Sequence, residues 1–502
     1  MKKLLFVAVA LMLLPRMSAA QQLSSFVRSA PLSASAEMHY EIPANFFEGR
    51  VLTPLYDTTL GSRIIGAMNT TYAKTRTFGK HGIAVSVIIP GRPQWSGAIG
   101  TDDLSTPMDT GLAFEVASNT KTFVAALIML LQDSGKLLIS DSIGKWLPKP
   151  YPNVDGSITI EQLLSHASGI YDYLNDDPNA IVYEQFFLNP TKLWPPDSIL
   201  MNHVGKPNFK KGTSYRYSNT NFLLAAMIAE RAGGEALGKQ IHRHFIDKLH
   251  LSRTYFGGDD SIPLPFAHNW TYGDSSKPDY DFFGIEKTGL FSGSWGVGNI
   301  VSVPTDLARW SNTLYTGQLL SKSAFTQMTK VHAWPDGSAY GLGTAIAPYY
   351  SNRILFGHGG SLAGFKSFEW TNAKDSVSIA LYLNSDSAPN DPVANDYALD
   401  ILGEVYRVVK GVKRSDRSPL QMNVFPNPTS DKLTFTFEVN NLGNVKLSLF
   451  NLMGEAAAVV VNESLPEGFH HASVDASGLP AGTYFYRLES RDGMVAGKVV
   501  VR

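Results

Sequence analysis

The sequence contains no cysteine, which excludes disulfides, thiolate metal sites and a cysteine nucleophile. Neither sign of charge is in excess, because 43 Lys and Arg residues oppose 44 Asp and Glu residues. A chain without a basic surplus is not expected to bind nucleic acid as its main role. A Gly-rich phosphate loop of the Walker type is also missing. The candidate functions are therefore those that need neither a thiolate nor a polyanion.

Long apolar runs are scarce as well. The run over residues 4–14 follows Lys2 and Lys3 and is too short to cross about 30 Å of hydrocarbon as a helix. In residues 15–20 (PRMSAA) the first three residues interrupt the apolar run and the last three are small. This pattern is typical of a cleavable secretory signal. We predict a signal peptide over residues 1–20, export of the protein, and no transmembrane segment elsewhere.

A length of 502 residues predicts two to four domains at about 100–200 residues each. Residues 21–54 have no clear hydrophobic period and are predicted to be a lead-in segment. Helix-like and strand-like runs alternate over residues 55–410, and a polar linker is predicted over residues 411–423. Residues 424–502 contain only short alternating runs separated by Gly, Pro and Asn turns, which predicts a small antiparallel β-sandwich.

Several elements within residues 55–410 can be predicted from periodicity and end signals. Residues 121–131 are apolar on nearly every side, which predicts a helix in the middle of a core. Thr159 and Gln162 have the spacing of a capping box and predict the start of another helix. The other predictions are strands over residues 82–90 and 377–383 and helices over residues 222–232 and 397–409.

Residues 118–121 (SNTK) lie at the start of the predicted core helix. Ser118 and Lys121 share one face of that helix. Desolvation there lowers the pKa of a lysine and can leave a neutral amine able to take the serine proton. The helix N-terminus also presents backbone N–H groups for an oxyanion. Ser142 and Lys145 have the same spacing, but an intervening glycine and a polar setting argue against a second site.

Residues 217–219 (YSN) lie in a loop before the helix predicted over residues 222–232. The Tyr217 hydroxyl and the Asn219 amide can supply a proton relay and a contact to a substrate carbonyl. The alternative is that Tyr217 packs in the core and Asn219 caps the following helix.

Residues 357–361 (GHGGS) are the third candidate element. Glycines at these positions let the backbone of a ligand lie close along a strand edge. His358 adds a polar group whose charge can switch near neutral pH. The alternative is an ordinary glycine-rich turn.

Taken in order, these three motifs resemble those of the serine β-lactamase and D-Ala-D-Ala-peptidase family, closest to its class C-like branch. Residues 163–169 (LLSHASG) and 299–308 (NIVSVPTDLA) resemble two further stretches of that branch. His358 stands where the lactamases usually have lysine, and Gly359 where they have threonine. This departure resembles some D,D-peptidases and implies a weaker hold on a β-lactam carboxylate, because neutral imidazole attracts an anion less than an ammonium group does.

The resemblance implies an α/β fold with an antiparallel sheet flanked by helices and a helical lobe. It implies a Ser118 nucleophile that forms an acyl-enzyme, with proton transfer shared by Lys121 and Tyr217 and with no metal or organic cofactor. The implied substrate-binding residues are Asn219 for the substrate amide, His358 for a carboxylate or hydroxyl, and Gly359, Gly360 and Ser361. The backbone N–H groups of Ser118 and Ser361 are the implied oxyanion hole.

The expected activity is that of a D,D-carboxypeptidase acting on a D-amino-acid peptide. Hydrolysis of a β-lactam or a small ester is the alternative within the same chemistry. The alternative from another class of protein is a penicillin-binding sensor that is acylated and does not turn over.

The C-terminal region has a resemblance of its own. Residues 424–428 (VFPNP), 449–454 (LFNLMG), 479–484 (LPAGTY) and 498–501 (KVVV) resemble the type IX secretion sorting domain. This implies contact with outer-membrane secretion machinery and delivery to the cell surface or the medium. A carbohydrate-binding or adhesive sandwich is the alternative, because fold alone does not specify function.

Two further groups of polar residues are not predicted to form sites. His242 and His244 are two positions apart and would lie on different faces of a helix, which argues against a metal pair. Asp172, Asp176 and Asp177 form an acidic cluster of the kind that binds calcium or provides paired-carboxylate chemistry, but we interpret them as part of a loop that follows the His166 stretch.

Overall fold

The structure is a computed structural model that describes residues 58–73, 81–177, 181–271, 280–333, 339–349, 353–385, 394–409, 422–439, 441–466, 468–491 and 493–502. The predicted signal peptide, the lead-in segment and most of the predicted linker lie outside these residues. Among the described residues, no helix is both long enough and apolar enough to cross a membrane.

The first part of the chain contains thirteen strands and twelve α-helices in the described residues. The strands are β1 Gly82–Ile88, β2 Trp95–Gly100, β3 Phe114–Glu115, β4 Tyr255–Phe256, β5 Trp270–Thr271, β6 Tyr280–Asp281, β7 Ile300–Ser302, β8 His332–Ala333, β9 Ala339–Tyr340, β10 Ala345–Tyr349, β11 Arg353–Leu362, β12 Phe365–Asn372 and β13 Val377–Leu383. The helices are α1 Thr58–Tyr72, α2 Thr120–Asp133, α3 Ile143–Trp146, α4 Ile160–Leu164, α5 Ile181–Leu188, α6 Pro196–Asn202, α7 Asn219–Gly233, α8 Leu237–Ile241, α9 Thr288–Gly298, α10 Pro304–Tyr315, α11 Lys322–Thr329 and α12 Ala394–Val409.

An antiparallel sheet of eight strands, in the order β2-β1-β13-β12-β11-β10-β9-β8, divides this part of the chain into two apolar cores. One core joins the sheet to the helical lobe, which includes α2 and α7. The other joins the opposite face to α1 and α12. Strand β13 is buried along its whole length, because helices cover both faces of the sheet. This architecture confirms the predicted fold class.

The residues predicted to begin or end helices do so in the structure. The Thr159 hydroxyl accepts from the Gln162 backbone N–H, and the reciprocal bond completes the capping box of α4. Helix α2 is followed by Gly135 at φ 70° and α7 by Gly234 at φ 76°. Glycine occupies this left-handed backbone conformation without steric penalty, so both helices end where it occurs.

The C-terminal region is all β. Its strands are β14 Met422–Phe425, β15 Lys432–Val439, β16 Gly443–Phe450, β17 Ala456–Leu465, β18 Gly468–Asp475, β19 Gly482–Ser490 and β20 Gly493–Val501. They form sheets β14-β15-β18 and β17-β16-β19-β20 around a common core that includes Phe435, Leu447 and Leu488. The small β domain predicted for this region is confirmed, although β14 begins inside the predicted linker.

The C-terminal region also contacts helix α12. His471 Nδ1 on β18 lies 2.8 Å from Asp400 Oδ1. A Cβ placed on Gly403 would lie 3.1 Å from the Phe469 Cβ, so the two elements pack closely there. Phe425 is buried in the core that lies between the large sheet and α12.

Candidate active site

Ser118 lies on a short 3₁₀ helix, Ala117–Asn119, between β3 and α2. Ala117 has a φ of 49°, an unusual value for a residue with a side chain, which turns the chain sharply just before the serine. The Asn119 side-chain amide donates to the Val116 carbonyl at 3.0 Å and to the Ser367 hydroxyl at 2.7 Å. The bond to Ser367 ties this turn to β12. Ser118, which lies on the turn, is half-buried.

Lys121 is 0% exposed and lies one turn along α2 from Ser118. Its Nζ donates to Ser118 Oγ at 3.0 Å, Asn219 Oδ1 at 2.8 Å and the Val297 carbonyl at 2.8 Å. Burial lowers the pKa of Lys121 to about 7, against an opposing effect of the Asp172 carboxylate. A substantial fraction of the amine is therefore neutral at physiological pH.

The Tyr217 hydroxyl donates to Ser118 Oγ at 3.0 Å. Burial raises the pKa of Tyr217 well above 10, so this group is a neutral phenol. His166 holds the backbone on both sides of Tyr217. Its carbonyl accepts from Arg216 N at 3.2 Å and its Nδ1 accepts from Ser218 N at 3.2 Å. The imidazole also packs 4.2 Å from the Tyr217 ring, centroid to centroid.

Asn219 is the first residue of α7, and the residue in the cap position is Ser218. The alternative that Asn219 caps this helix is therefore wrong. Its Oδ1 faces Lys121, and its Nδ2 donates to both oxygens of Asp172 at 3.2 and 3.0 Å. Asp172 lies in a loop, as the sequence predicts, and its side chain is fully buried.

Strand β11 passes directly against the nucleophile turn. A Cβ placed on Gly360 would lie 2.2 Å from the Val116 carbonyl oxygen and 3.0 Å from the Ala117 Cβ, so only glycine fits. Among the described residues, 358–362 of β11 pair with β12, whereas pairing with β10 stops at Gly357. This leaves a strand edge next to Ser118 for an extended ligand.

His358 is enclosed beside the site, with its ring 6.2 Å from the Tyr217 ring, centroid to centroid. Its side chain is fully buried, with Nδ1 donating to the Gly359 carbonyl at 2.6 Å and Nε2 accepting from the Tyr340 hydroxyl at 2.8 Å. Alternation along β11 places it on the face that packs into the core, opposite Glu369 of β12. Burial and the charge of Lys121 lower the pKa of His358 to about 3, so the imidazole is neutral. A contact of His358 with a substrate carboxylate or hydroxyl stays a prediction, and the structure shows the imidazole bonded to Gly359 and Tyr340.

Ser361 lies directly opposite Lys366 in the β11–β12 pair. Lys366 Nζ donates to Ser361 Oγ at 2.6 Å, and both residues are half-buried. An ammonium group therefore lies beside the third motif, although it comes from β12 and not from the position where the lactamases usually have lysine.

The second Ser-x-x-Lys pair forms no comparable cluster. Lys145 is 54% exposed, and its Nζ contacts Asp141 Oδ1 at 2.7 Å. His242 contacts Asp260 and Asp247, as expected for a histidine in a surface ion-pair group. Within the described residues there is no group of three or more His, Asp or Glu side chains that would hold a metal ion.

The geometry brings a serine hydroxyl, a buried amine and a neutral phenol together, with the last two each 3.0 Å from Ser118 Oγ. An amine with a pKa of about 7 can accept the serine proton, and the phenol can donate one. Fold and site together are those of a serine hydrolase.

The chain belongs to the Beta-lactamase family, which it matches over residues 46–403. Residues 423–502 match the secretion system C-terminal sorting domain, which indicates type IX secretion to the cell surface or the extracellular space. A curated relative is penicillin-binding protein 4* of Bacillus subtilis, 28% identical over 279 residues that cover 52% of this chain and 58% of the relative. The chain thus spans little more than half the length of that relative.

Solved structures with the same fold include a D-stereospecific amidohydrolase and a D-amino acid amidase. One is a D-stereospecific amidohydrolase from Streptomyces sp., with a TM-score of 0.59 and 27% identity, covering 70% of this chain and 99% of that one. The other is the D-amino acid amidase from Ochrobactrum anthropi SV3, with a TM-score of 0.60 and 22% identity, covering 70% and 100%.

Several contacts of the site have no signal in the sequence patterns. The Val297 carbonyl is available to Lys121 because it lies in the last turn of α9, where carbonyls have no partner within the helix. His166 belongs to the stretch that resembles the family, yet its role beside Tyr217 depends on long-range geometry. Asp172 follows the same stretch by a few residues, and that position is the signal that would have identified it.

Proposed function

We propose that the protein is a secreted serine hydrolase that cleaves D-amino-acid peptides, in the manner of a D,D-carboxypeptidase, through an acyl-enzyme on Ser118. The observation that supports this most directly is the position of Ser118 Oγ between Lys121 Nζ and the Tyr217 hydroxyl.

In the acylation step Ser118 Oγ bonds to the substrate carbonyl carbon while its proton passes to the neutral amine of Lys121. The bond from that carbon to the leaving amine then breaks, and the Tyr217 hydroxyl supplies the proton that the amine requires. The proton held by Lys121 then returns to the Tyr217 phenolate through water that enters beside Ser118, because the acylated Ser118 oxygen carries no proton of its own. Water then cleaves the ester by the reverse proton transfers and releases the acid.

The negative charge on the substrate oxygen would be bound by the backbone N–H groups of Ser118 and Ser361. The close approach of Gly360 to the turn at Ala117 supports this pairing, because it brings the two segments together. Residues 358–362 of β11 would bind an extended substrate along the edge that β10 leaves uncovered.

Two observations support the substrate class, namely the activities named for the relatives and the position of the Lys366 ammonium group. The amidohydrolase and amidase with this fold act on D-amino acid derivatives, and another relative is a penicillin-binding protein. The ammonium group of Lys366 beside Ser361 favours a substrate with a free carboxylate next to the cleaved bond. A carboxypeptidase substrate has such a group, whereas an amino acid amide does not.

A substrate panel on purified protein tests the proposal. We expect a D-alanyl-D-alanine peptide to be hydrolysed faster than its L-alanyl counterpart and than the same peptide with an amidated C-terminus. Ser118→Ala should abolish hydrolysis, and the matched variant Ser142→Ala should leave it unchanged. Lys366→Gln should lower kcat/KM for the free peptide and leave that for the amidated peptide within about twofold, because only the former presents an anion.

Other outcomes would favour the alternatives. Turnover of a β-lactam or a small ester with none of the peptides would contradict the substrate assignment while keeping Ser118 as nucleophile. Labelling of Ser118 by a fluorescent penicillin, without turnover of any substrate, would indicate a sensor. Full activity of Ser118→Ala would refute the nucleophile itself.

A further inference from the structure

The carboxylate of Asp172 is the one charged group of the described site that the acylation steps above leave without a role. It is fully buried and contacts Asn219 Nδ2 with both oxygens, at 3.2 and 3.0 Å. Within its own loop it accepts from Leu174 N at 3.0 Å and from Asn175 Nδ2 at 2.6 Å. A buried carboxylate is stable only when such donors satisfy it, so its position is tightly specified.

The geometry at Lys121 shows why the partner of this carboxylate matters. A neutral amine has two hydrogens and one lone pair, arranged close to tetrahedrally. Asn219 Oδ1 and the Val297 carbonyl, each 2.8 Å from Nζ, accept the two hydrogens. The lone pair is then directed at Ser118 Oγ, 3.0 Å away, which is where the serine proton must go.

This arrangement requires that Asn219 presents its oxygen to Lys121. The two ends of a carboxamide are nearly equal in shape, so the group can rotate and present its NH2 instead. An NH2 group facing Nζ would hydrogen-bond to the lone pair and turn it away from Ser118. The Val297 carbonyl cannot make that exchange, because a backbone oxygen only accepts.

We propose that Asp172 is a positioning residue for Lys121: its carboxylate binds Asn219 Nδ2 and so keeps Asn219 Oδ1 on the amine. Burial raises the pKa of Asp172, and the donors around it act against that rise. In its ionised form the carboxylate only accepts, so it favours the donor end of the amide and repels the oxygen end. The inference rests on the proposed function, because it assigns the orientation of the base in that reaction.

The charges around the pair determine the sign of the pH effect. Asp172 faces Asn219 from α7 and Lys121 from α2, and within its own loop it faces Asn175 and Asp176. His166 and His358 also face Lys121, but burial lowers the pKa of both, so they are neutral above pH 6.5. The anion at position 172 raises the pKa of Lys121, and its removal should lower it.

The test is the pH dependence of kcat/KM for p-nitrophenyl acetate in wild-type protein and in Asp172→Asn, a nearly isosteric change. We expect the plateau to fall at least about tenfold, the size of losing one hydrogen bond to a charged group. We also expect the acidic limb to move to lower pH. A purely structural role would lower the plateau without moving the limb.

Two further variants distinguish a positioning role of Asp172 from a general loss of structure in the site. In an Asn219→Ala background Asp172→Asn should lower the plateau less than about twofold, because the residue through which it acts is missing. Asn175→Ala removes one of the bonds that hold the same carboxylate and keeps its charge. It should lower the plateau less than Asp172→Asn does and leave the limb in place. Equal losses in both backgrounds, or an unmoved limb, would overturn the inference.

A readout without activity separates this inference from the proposed function. The Lys121 amine is titrated by NMR in protein labelled with 13C-lysine, with its signal assigned from Lys121→Met. We expect a midpoint near 7 in wild-type protein and a lower one in Asp172→Asn, or in Asp172→Ser if the former does not fold. An unchanged midpoint contradicts the inference, and the absence of any wild-type hydrolysis contradicts the proposed function alone.

Discussion

The pKa of Lys121 leads to a quantitative prediction for the pH dependence of acylation. Burial lowers that pKa from 10.5 to about 7. The neutral fraction of the amine is then roughly 9% at pH 6, 50% at pH 7 and 91% at pH 8. If the neutral amine accepts the Ser118 proton, kcat/KM should rise about tenfold from pH 6 to pH 8 and then level off.

The same arithmetic shows what burial contributes to the reaction. A solvated lysine would be only about 0.03% neutral at pH 7, so enclosure raises the reactive fraction roughly 1,500-fold. Lys121→Arg keeps the positive charge and removes the base, because a guanidinium group stays protonated. We expect this variant to lose about 100-fold to 10,000-fold in kcat/KM, the usual range for losing a general base. Lys145→Arg, at the exposed pair, should behave as wild type.

The assay is the initial rate of hydrolysis of p-nitrophenyl acetate between pH 5.5 and 9 at constant ionic strength. Background hydrolysis is subtracted with Ser118→Ala. Burial lowers the pKa of both His166 and His358, that of His358 to about 3, away from the limb expected near pH 7. A flat profile, a midpoint above 9, or wild-type activity in Lys121→Arg would refute the assignment of Lys121 as the base.

Two further predictions concern the packing of the site and the C-terminal region. Gly360→Ala should lower the free energy of unfolding by about 1–3 kcal/mol and reduce kcat, because the added methyl would displace β11 from the Ser118 turn. Thermal melts and ester hydrolysis check this, and Gly66→Ala, where a Cβ meets nothing within 4 Å, is the control; equal behaviour of the two variants would contradict it. Deletion of residues 424–502 should retain the enzyme in the periplasm and keep its activity, while the melting temperature falls because α12 loses its contact with β18. Secretion of the truncated protein, measured in cell fractions, would instead favour an adhesive role for this region.

The sequence was sufficient where one local pattern determines the structure. Strand β13 has the predicted bounds, and α2 extends the predicted helix by a residue or two at each end. Capping and glycine signals succeed because each depends on hydrogen bonds or backbone freedom within a few residues. Strand β14 was not predicted, since four residues are too few to establish a period.

The sequence predicted which residues form the site better than it predicted how their side chains are oriented. Ser118, Lys121, Tyr217 and Asn219 meet as predicted, although as many as 99 positions separate Tyr217 from Ser118. The burial of His358 was not predicted, because strand alternation and the core on one face decide which way a side chain points, and a glycine-rich motif contains neither signal. The role of Asp172 depends on a contact 47 positions away along the chain.

The enclosure of Lys121 restricts how protons enter and leave the site. Its ammonium group is covered completely, whereas Ser118 remains partly open to the cleft. A proton taken up by the amine therefore has no direct route to bulk water and must leave on the side of Ser118, where the site is open. The attacking water of the second half-reaction has to arrive on that same side, so access to Ser118 governs both the entry of substrate and the release of the acyl group.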